Sequence, residues 1–275
     1  GNAPSPFGLN QFPIPHGIAA AYSAAGIGGS VLWLSRSANG QASVVLGTSG
    51  GQARRVSTHA METVFRGYAS ISDAVGETFE LDGHNFYLLT FPTADRSWLY
   101  DLGEDVWTEV GTWDSAEGDY DHWAPLFHAF AFNVHLMGDR TNGTLWRMNP
   151  TVMTDTNGSG VRRVRRAPAI VNEHRRIFYP RFELMLESGL GVTGVTDNPQ
   201  VTLNFSNDGG KTWASGGLQN AGDRAAGAQG EYYRRVIWNR LGSGRQRVFE
   251  IVMSDAIPWY IVDAYIRAHD GTESP

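Results

Sequence analysis

Gly83-His84-Asn85-Phe86-Tyr87-Leu88-Leu89-Thr90-Phe91-Pro92-Thr93-Ala94-Asp95, running on into Arg96-Ser97-Trp98-Leu99-Tyr100-Asp101, is the stretch that decides the fold. An apolar, aromatic-rich run, a polar turn and a second aromatic run are the pattern of paired strands. Val106-Trp107-Thr108-Glu109-Val110 supplies a third strand. The same plan recurs around Val31-Leu32-Trp33-Leu34 and Val134-His135-Leu136-Met137, the latter followed by Thr144-Leu145-Trp146-Arg147-Met148. Aligning Leu32, Leu89 and Leu136 gives intervals of 57 and 47 residues, close to the roughly 50-residue period of a four-stranded propeller blade.

Residues 1–160 are therefore expected to form β-propeller blades. The set is incomplete at the N-terminal side, because closure takes at least about four blades and this length supplies about three. The chain opens Gly1-Asn2-Ala3-Pro4 without Met and without a charged-then-apolar leader, so upstream sequence carrying the first blades is expected to be missing. One helix is expected over 58–66, capped by Ser57 or Thr58, stopped by Gly67 and set on a blade edge.

Past Gly160 the strands lengthen, over 161–167, 176–187, 201–206, 232–240, 245–254 and 259–268. Arg247-Val248-Phe249-Glu250-Ile251-Val252-Met253 blurs alternation into continuous apolarity, as in a strand covered on both faces. Residues 161–275 read as a β-sandwich-like unit, and the whole chain as all-β.

The 275 residues are 41% apolar and 18% charged, with 33 Gly and 12 Pro, which excludes a disordered polyelectrolyte and suits many short strands. With no Cys, neither disulfides nor thiolate-held metals contribute. No apolar stretch is long enough to span a bilayer, so no membrane anchor is expected. The net charge of −6 divides unevenly: 7 Arg against 16 acids in residues 1–160, and 14 Arg plus Lys211 against 12 acids in residues 161–275. The near-absence of Lys fits either a GC-rich genome or selection for planar, bidentate contacts at subunit interfaces.

Ser206-Asn207-Asp208-Gly209-Gly210-Lys211-Thr212-Trp213 matches the Asp-box pattern Ser-x-Asp-x-Gly-x-Thr-Trp, known from sialidases and many other β proteins. Ser206, Asp208, Gly210, Thr212 and Trp213 are expected to specify a hairpin turn, with the carboxylate on backbone N–H groups, glycines at positive φ and the indole packed beneath. A sialidase would carry one box per blade, an arginine triad and a Tyr–Glu pair, whereas here one box stands in the second half of the chain. Asp114, Glu117, Asp119 and Asp121 lack the EF-hand order and read as a solvated loop rather than a Ca²⁺ site. His122, His128 and His135 match no zinc spacing and read as packing or inter-blade hydrogen bonding.

Arg162, Arg163, Arg165 and Arg166 alternate sides along an extended strand and, with Arg175 and Arg176, are candidate residues for a subunit or domain interface, phosphate being the other partner they suit. No Walker loop, nucleotide fingerprint or Gly-x-Ser-x-Gly elbow is present, so no catalytic residue, cofactor or metal is expected.

Several strings, in order along nearly the whole chain, resemble one family. They are His16-Gly17-Ile18-Ala19-Ala20, Arg55-Val56-Ser57-Thr58-His59-Ala60, the run from Gly83 to Asp95, and His128-Ala129-Phe130-Ala131-Phe132. Arg175-Arg176-Ile177-Phe178-Tyr179, the Asp-box, Trp238-Asn239-Arg240-Leu241-Gly242 and Arg247-Val248-Phe249-Glu250 continue the series. The chain resembles the packaged-DNA stabilisation proteins, or tail hubs, of short-tailed phages of the Salmonella podophage type. The resemblance implies a non-enzymatic virion protein of the phage tail, assembled in the host cytoplasm. It implies a homo-oligomeric ring, a hexamer, below the portal and head-to-tail adaptor. The ring would receive the tail needle, adjoin the tailspike, and pass packaged DNA without sequence-specific binding. Family members are longer on the N-terminal side, in keeping with the blade count. The alternatives are a carbohydrate-binding or sialidase-like propeller and a kelch-like interaction module.

Overall fold

The computed structural model describes residues 14–48, 50–140, 142–187, 198–222 and 235–270. The opening Gly1-Asn2-Ala3-Pro4 and the first three residues of the strand expected over 232–240 lie outside them. The chain divides into two compact units, one up to Asn149 and one from Pro150.

In the first unit β1 (Ala25–Ile27), β2 (Ser30–Arg36), β3 (Ala42–Thr48) and β4 (Ala53–Arg55) form one antiparallel meander. The helix α1 (His59–Arg66) follows. Thr58 caps it, its hydroxyl accepting from the Met61 N–H, and Met61 and Phe65 enter the core. A five-stranded meander comes next, of β5 (Val75–Leu81), β6 (His84–Phe91), β7 (Arg96–Asp101), β8 (Val106–Asp114) and β9 (Asp119–His122). A three-stranded one closes the unit with β10 (Pro125–Ala131), β11 (Val134–Asp139) and β12 (Leu145–Met148). Leu32, Leu89 and Leu136 each sit on the second strand of a meander, so the repeat read from the sequence is a repeat of blades.

Each first-to-second strand hairpin turns on two residues at positive φ: Gly28-Gly29, Asp82-Gly83 and Phe132-Asn133. This is the turn whose twist matches paired strands. Leu32, Leu34, Val44 and Leu46 pack with Tyr87, Leu89, Phe91 and Tyr100 in one core, and Phe79 and Leu88 pack with Met137 in a smaller one. Each such side chain contributes roughly 1.5–3 kcal/mol when fully buried.

The second unit has two sheets. One runs β13 (Arg163–Arg166), β20 (Gln246–Met253), β16 (Gln200–Ser206), β17 (Ala214–Asn220), with β14 (Ile170–Val171) also on β20. In the other, β15 (Ile177–Leu186) carries β18 (Arg235–Asn239) and β19 (Ser243–Gly244) along one edge and β21 (Ile261–Asp270) along the other. Phe182, Leu184 and Trp238 from one sheet meet Leu203, Phe249 and Ile251 from the other in a shared core. β20 is central in its sheet, and its last five residues are all buried, which is why its sequence does not alternate.

Candidate functional site

The hairpin between β16 and β17 carries the Asp-box. Oδ1 of Asp208 accepts from the Ser206 hydroxyl at 2.6 Å and from the N–H groups of Lys211 and Thr212 at 2.9 Å each, while Oδ2 accepts from the Thr212 hydroxyl at 2.6 Å. Ser206 Oγ in turn accepts from the Gly210 N–H at 2.8 Å. Gly209 and Gly210 take φ of 77° and 94°, which L side chains rarely adopt. The Ser206 and Thr212 hydroxyls, then the backbone N–H groups, hold the Asp208 carboxyl far below the usual carboxylate range. Both carboxylate oxygens are therefore committed to the turn.

Beneath the box lies a residue that its neighbours in sequence do not announce. Arg247 on β20 is 1% exposed and has no carboxylate partner among the described residues. Its Nε donates to Asn207 Oδ1 at 2.9 Å and its terminal nitrogens to the carbonyls of Leu241 and Ser243 at 2.6 and 3.1 Å. The guanidinium lies 4.3 Å from the Phe205 ring centroid and 4.4 Å from that of Tyr179. Burial pushes its pKa down, yet three oxygens and two aromatic faces keep it satisfied as a cation. Asn207, inside the box, is thereby tied to the core. A Cβ at Gly244 would collide with the Asn207 amide, so that glycine leaves room for the tie.

The six arginines named from the sequence do not form one patch. Arg163 turns onto the carbonyls of Asp255 and Ile257 and fixes that turn. Arg166 pairs with the buried Glu250 at 2.7 Å and lays its guanidinium 5.1 Å from the Trp213 ring, with Asn204 completing Glu250 at 3.0 Å. Arg176 donates to Ser243 Oγ at 3.1 Å, Arg175 stands 3.9 Å from Glu173, Arg165 lies exposed on β13 and Arg162 immediately precedes that strand. Arg247 and Glu250 stand in a strand that reads as apolar, so the sequence does not single them out. The available signal was a charge at each of two positions in a strand buried on both faces, where a charge must be partnered.

In the first unit the acidic run is spent on local structure. Asp119 bonds to Arg96 at 2.6 Å, and Asp114 Oδ1 accepts from the Ala116 N–H. The His122 ring meets Asp95. Burial pulls the Asp95 carboxyl upward, but hydrogen bonds from the ring and N–H of His122 bring it below its usual range. His128 Nε2 and His135 Nδ1 share a hydrogen bond of 2.9 Å between stacked rings. Among the described residues no three His, Asp or Glu side chains gather as a metal site, and no helix is long and apolar enough to cross a membrane.

Blades followed by a sandwich, with an Asp-box whose polar groups serve its own turn, define a β-rich structural protein. Two family models agree: one described as bacteriophage P22 Gp10, beta-propeller, matches residues 1–153, and one described as bacteriophage P22 Gp10, beta-sandwich, matches residues 162–269. The chain belongs to the bacteriophage P22 Gp10 family, and it is a structural protein of a bacteriophage tail. No curated protein matches it. Among solved structures, Trypanosoma rangeli sialidase in complex with the inhibitor DANA aligns at 9% identity and a TM-score of 0.26, covering 86% of this chain and 60% of that one. Trypanosoma rangeli sialidase alone aligns at 9% identity with a TM-score of 0.23. The chain spans 60% of the length of those sialidase chains, and at these scores the likeness carries no argument.

Proposed function

We propose that this protein is a ring-forming hub of the tail, placed below the portal and head-to-tail adaptor, where it retains packaged DNA and forms part of the ejection channel. The observation that supports this most is the match of both units, blades and sandwich, to one phage tail family. Its work is mechanical rather than catalytic, in keeping with an Asp-box that spends its carboxylate on backbone N–H groups. Its partners are further copies of itself in a hexameric ring, the adaptor, the tail needle and the tailspike, and assembly takes place in the host cytoplasm.

Ring closure requires two different complementary faces on each subunit. The contrast between an acid-rich first part, 7 Arg against 16 acids, and an arginine-rich remainder supplies opposite charges for them. Arg162, Arg163, Arg165, Arg166, Arg175 and Arg176 are the interface residues of this reading, with Arg165 exposed on its strand and Arg163 turned onto the carbonyls of Asp255 and Ile257. An acidic channel wall also lets DNA slide, because phosphate binding grows with each charge neutralised. Light scattering of the chain with and without the portal–adaptor complex tests the proposal. Ring-sized particles or capture by the adaptor are expected, and a monomer that ignores the adaptor would overturn it.

A further inference from the structure

The second unit leaves one long strand half unpaired. β21 (Ile261–Asp270) pairs with β15 along one edge and has no strand on its other edge among the described residues. Nine of its ten residues are exposed, with Val262 and Tyr265 more than half exposed. A free edge of this length offers a row of unsatisfied N–H and C=O groups, and natural edges are normally shortened, charged or covered. This one runs ten residues without Lys or Pro, and its charges are Asp263, Arg267 and Asp270.

The charges on the strand indicate what covers it. Arg267 stands opposite Arg181 in the β15–β21 ladder. Glu183 is taken by Arg181 at 2.7 Å and Arg235 at 3.4 Å, and Arg267 has no ion pair or hydrogen bond among the described residues. Asp263, four positions before it and so on the same strand face, accepts from the Ala264 N–H at 2.7 Å and has no cationic partner among the described residues.

Let a second β21 approach antiparallel with Tyr265 opposite Tyr265. Over the regular part of the strand, Asp263 then faces Arg267 twice and Ala264 faces Ile266. Moving the register so that Ile266 faces itself sets Asp263 against His269 and loses both ion pairs. We propose that β21 is a two-fold docking edge for a second copy of this chain, its register fixed by the reciprocal Asp263–Arg267 pairs. The contact closes on two copies and does not depend on the hub reading, whose ring needs two different faces.

Sedimentation of the full chain over a wide range of concentration tests this, with far-UV circular dichroism confirming that each variant is folded. The wild type is expected to dimerise. Asp263→Arg or Arg267→Asp alone sets like charges across the pair and is expected to weaken the dimer about tenfold or more. Mixing the two single variants restores opposite charges at both positions and is expected to restore the dimer. A wild type that stays monomeric throughout overturns the proposal, as does an assembly of any size that both single reversals leave unchanged.

Discussion

Arg247 is a buried cation held by neutral oxygens and aromatic faces, and it joins the Asp-box to the sandwich core through Asn207. Truncation opens a cavity and strips the carbonyls of Leu241 and Ser243 of their donor, two effects that act in the same direction. Arg247→Ala is therefore expected to lower the unfolding free energy by about 3–5 kcal/mol, read as a fall in the urea midpoint of the second unit. Arg247→Lys should recover little, because an ammonium cannot reach three acceptors set for a planar fork or stack between Tyr179 and Phe205. Full recovery by lysine would mean that charge alone, rather than the fork, secures the hairpin.

At the scale of elements, the blade hairpins were legible because turn chemistry and aromatic runs repeat together, with Asp82-Gly83 between β5 and β6 and Gly28-Gly29 between β1 and β2. The strand β17, Ala214-Ser215-Gly216-Gly217-Leu218-Gln219-Asn220, escaped the sequence reading. It has no β-branched residue and two glycines, and its strand state comes from the Asp-box turn feeding it back along β16. β14 and β19 are two residues each and carry no periodicity to detect. The sequence around His128 and His135 suggests packing or hydrogen bonding between blades, whereas their bond lies within the third blade, where β10 and β11 bring them together diagonally rather than directly opposite. That bond has a pH signature. Burial first, and charge on His135 second, lower the His128 pKa. The unfolded chain takes up this proton near pH 6.5, while the folded chain does so only at lower pH. The stabilisation is thus complete above about 6.5 and falls away as pH drops from there through the folded value. The urea midpoint of the first unit is expected to fall between pH 7.5 and pH 5, and His128→Phe to flatten that fall. Equal falls in both proteins would assign the effect to other groups.

Across the whole molecule, the buried clusters keep to their own halves: two draw only on residues before Asn149 and one only on residues after Pro150. Cooperativity follows shared cores, so the chain is expected to unfold in two calorimetric transitions rather than one. Substitutions in each core then label the transitions. Arg247→Ala should lower one by roughly 10 °C or more, at a few degrees per kcal/mol for units of this size, and leave the other in place. Gly76 supplies the opposite label. It lies on β5 against the Ser23 carbonyl and the Tyr87 ring, where any Cβ would collide, and that same carbonyl accepts the Tyr87 hydroxyl at 2.7 Å to bind the first two blades. Gly76→Val should force these blades apart, at about 1–3 kcal/mol for an overpacked core, and lower only the transition that Arg247→Ala leaves alone. One transition moved by both substitutions would show that the units share their stability, and a tail component built that way would transmit a disturbance of its blades directly to its sandwich.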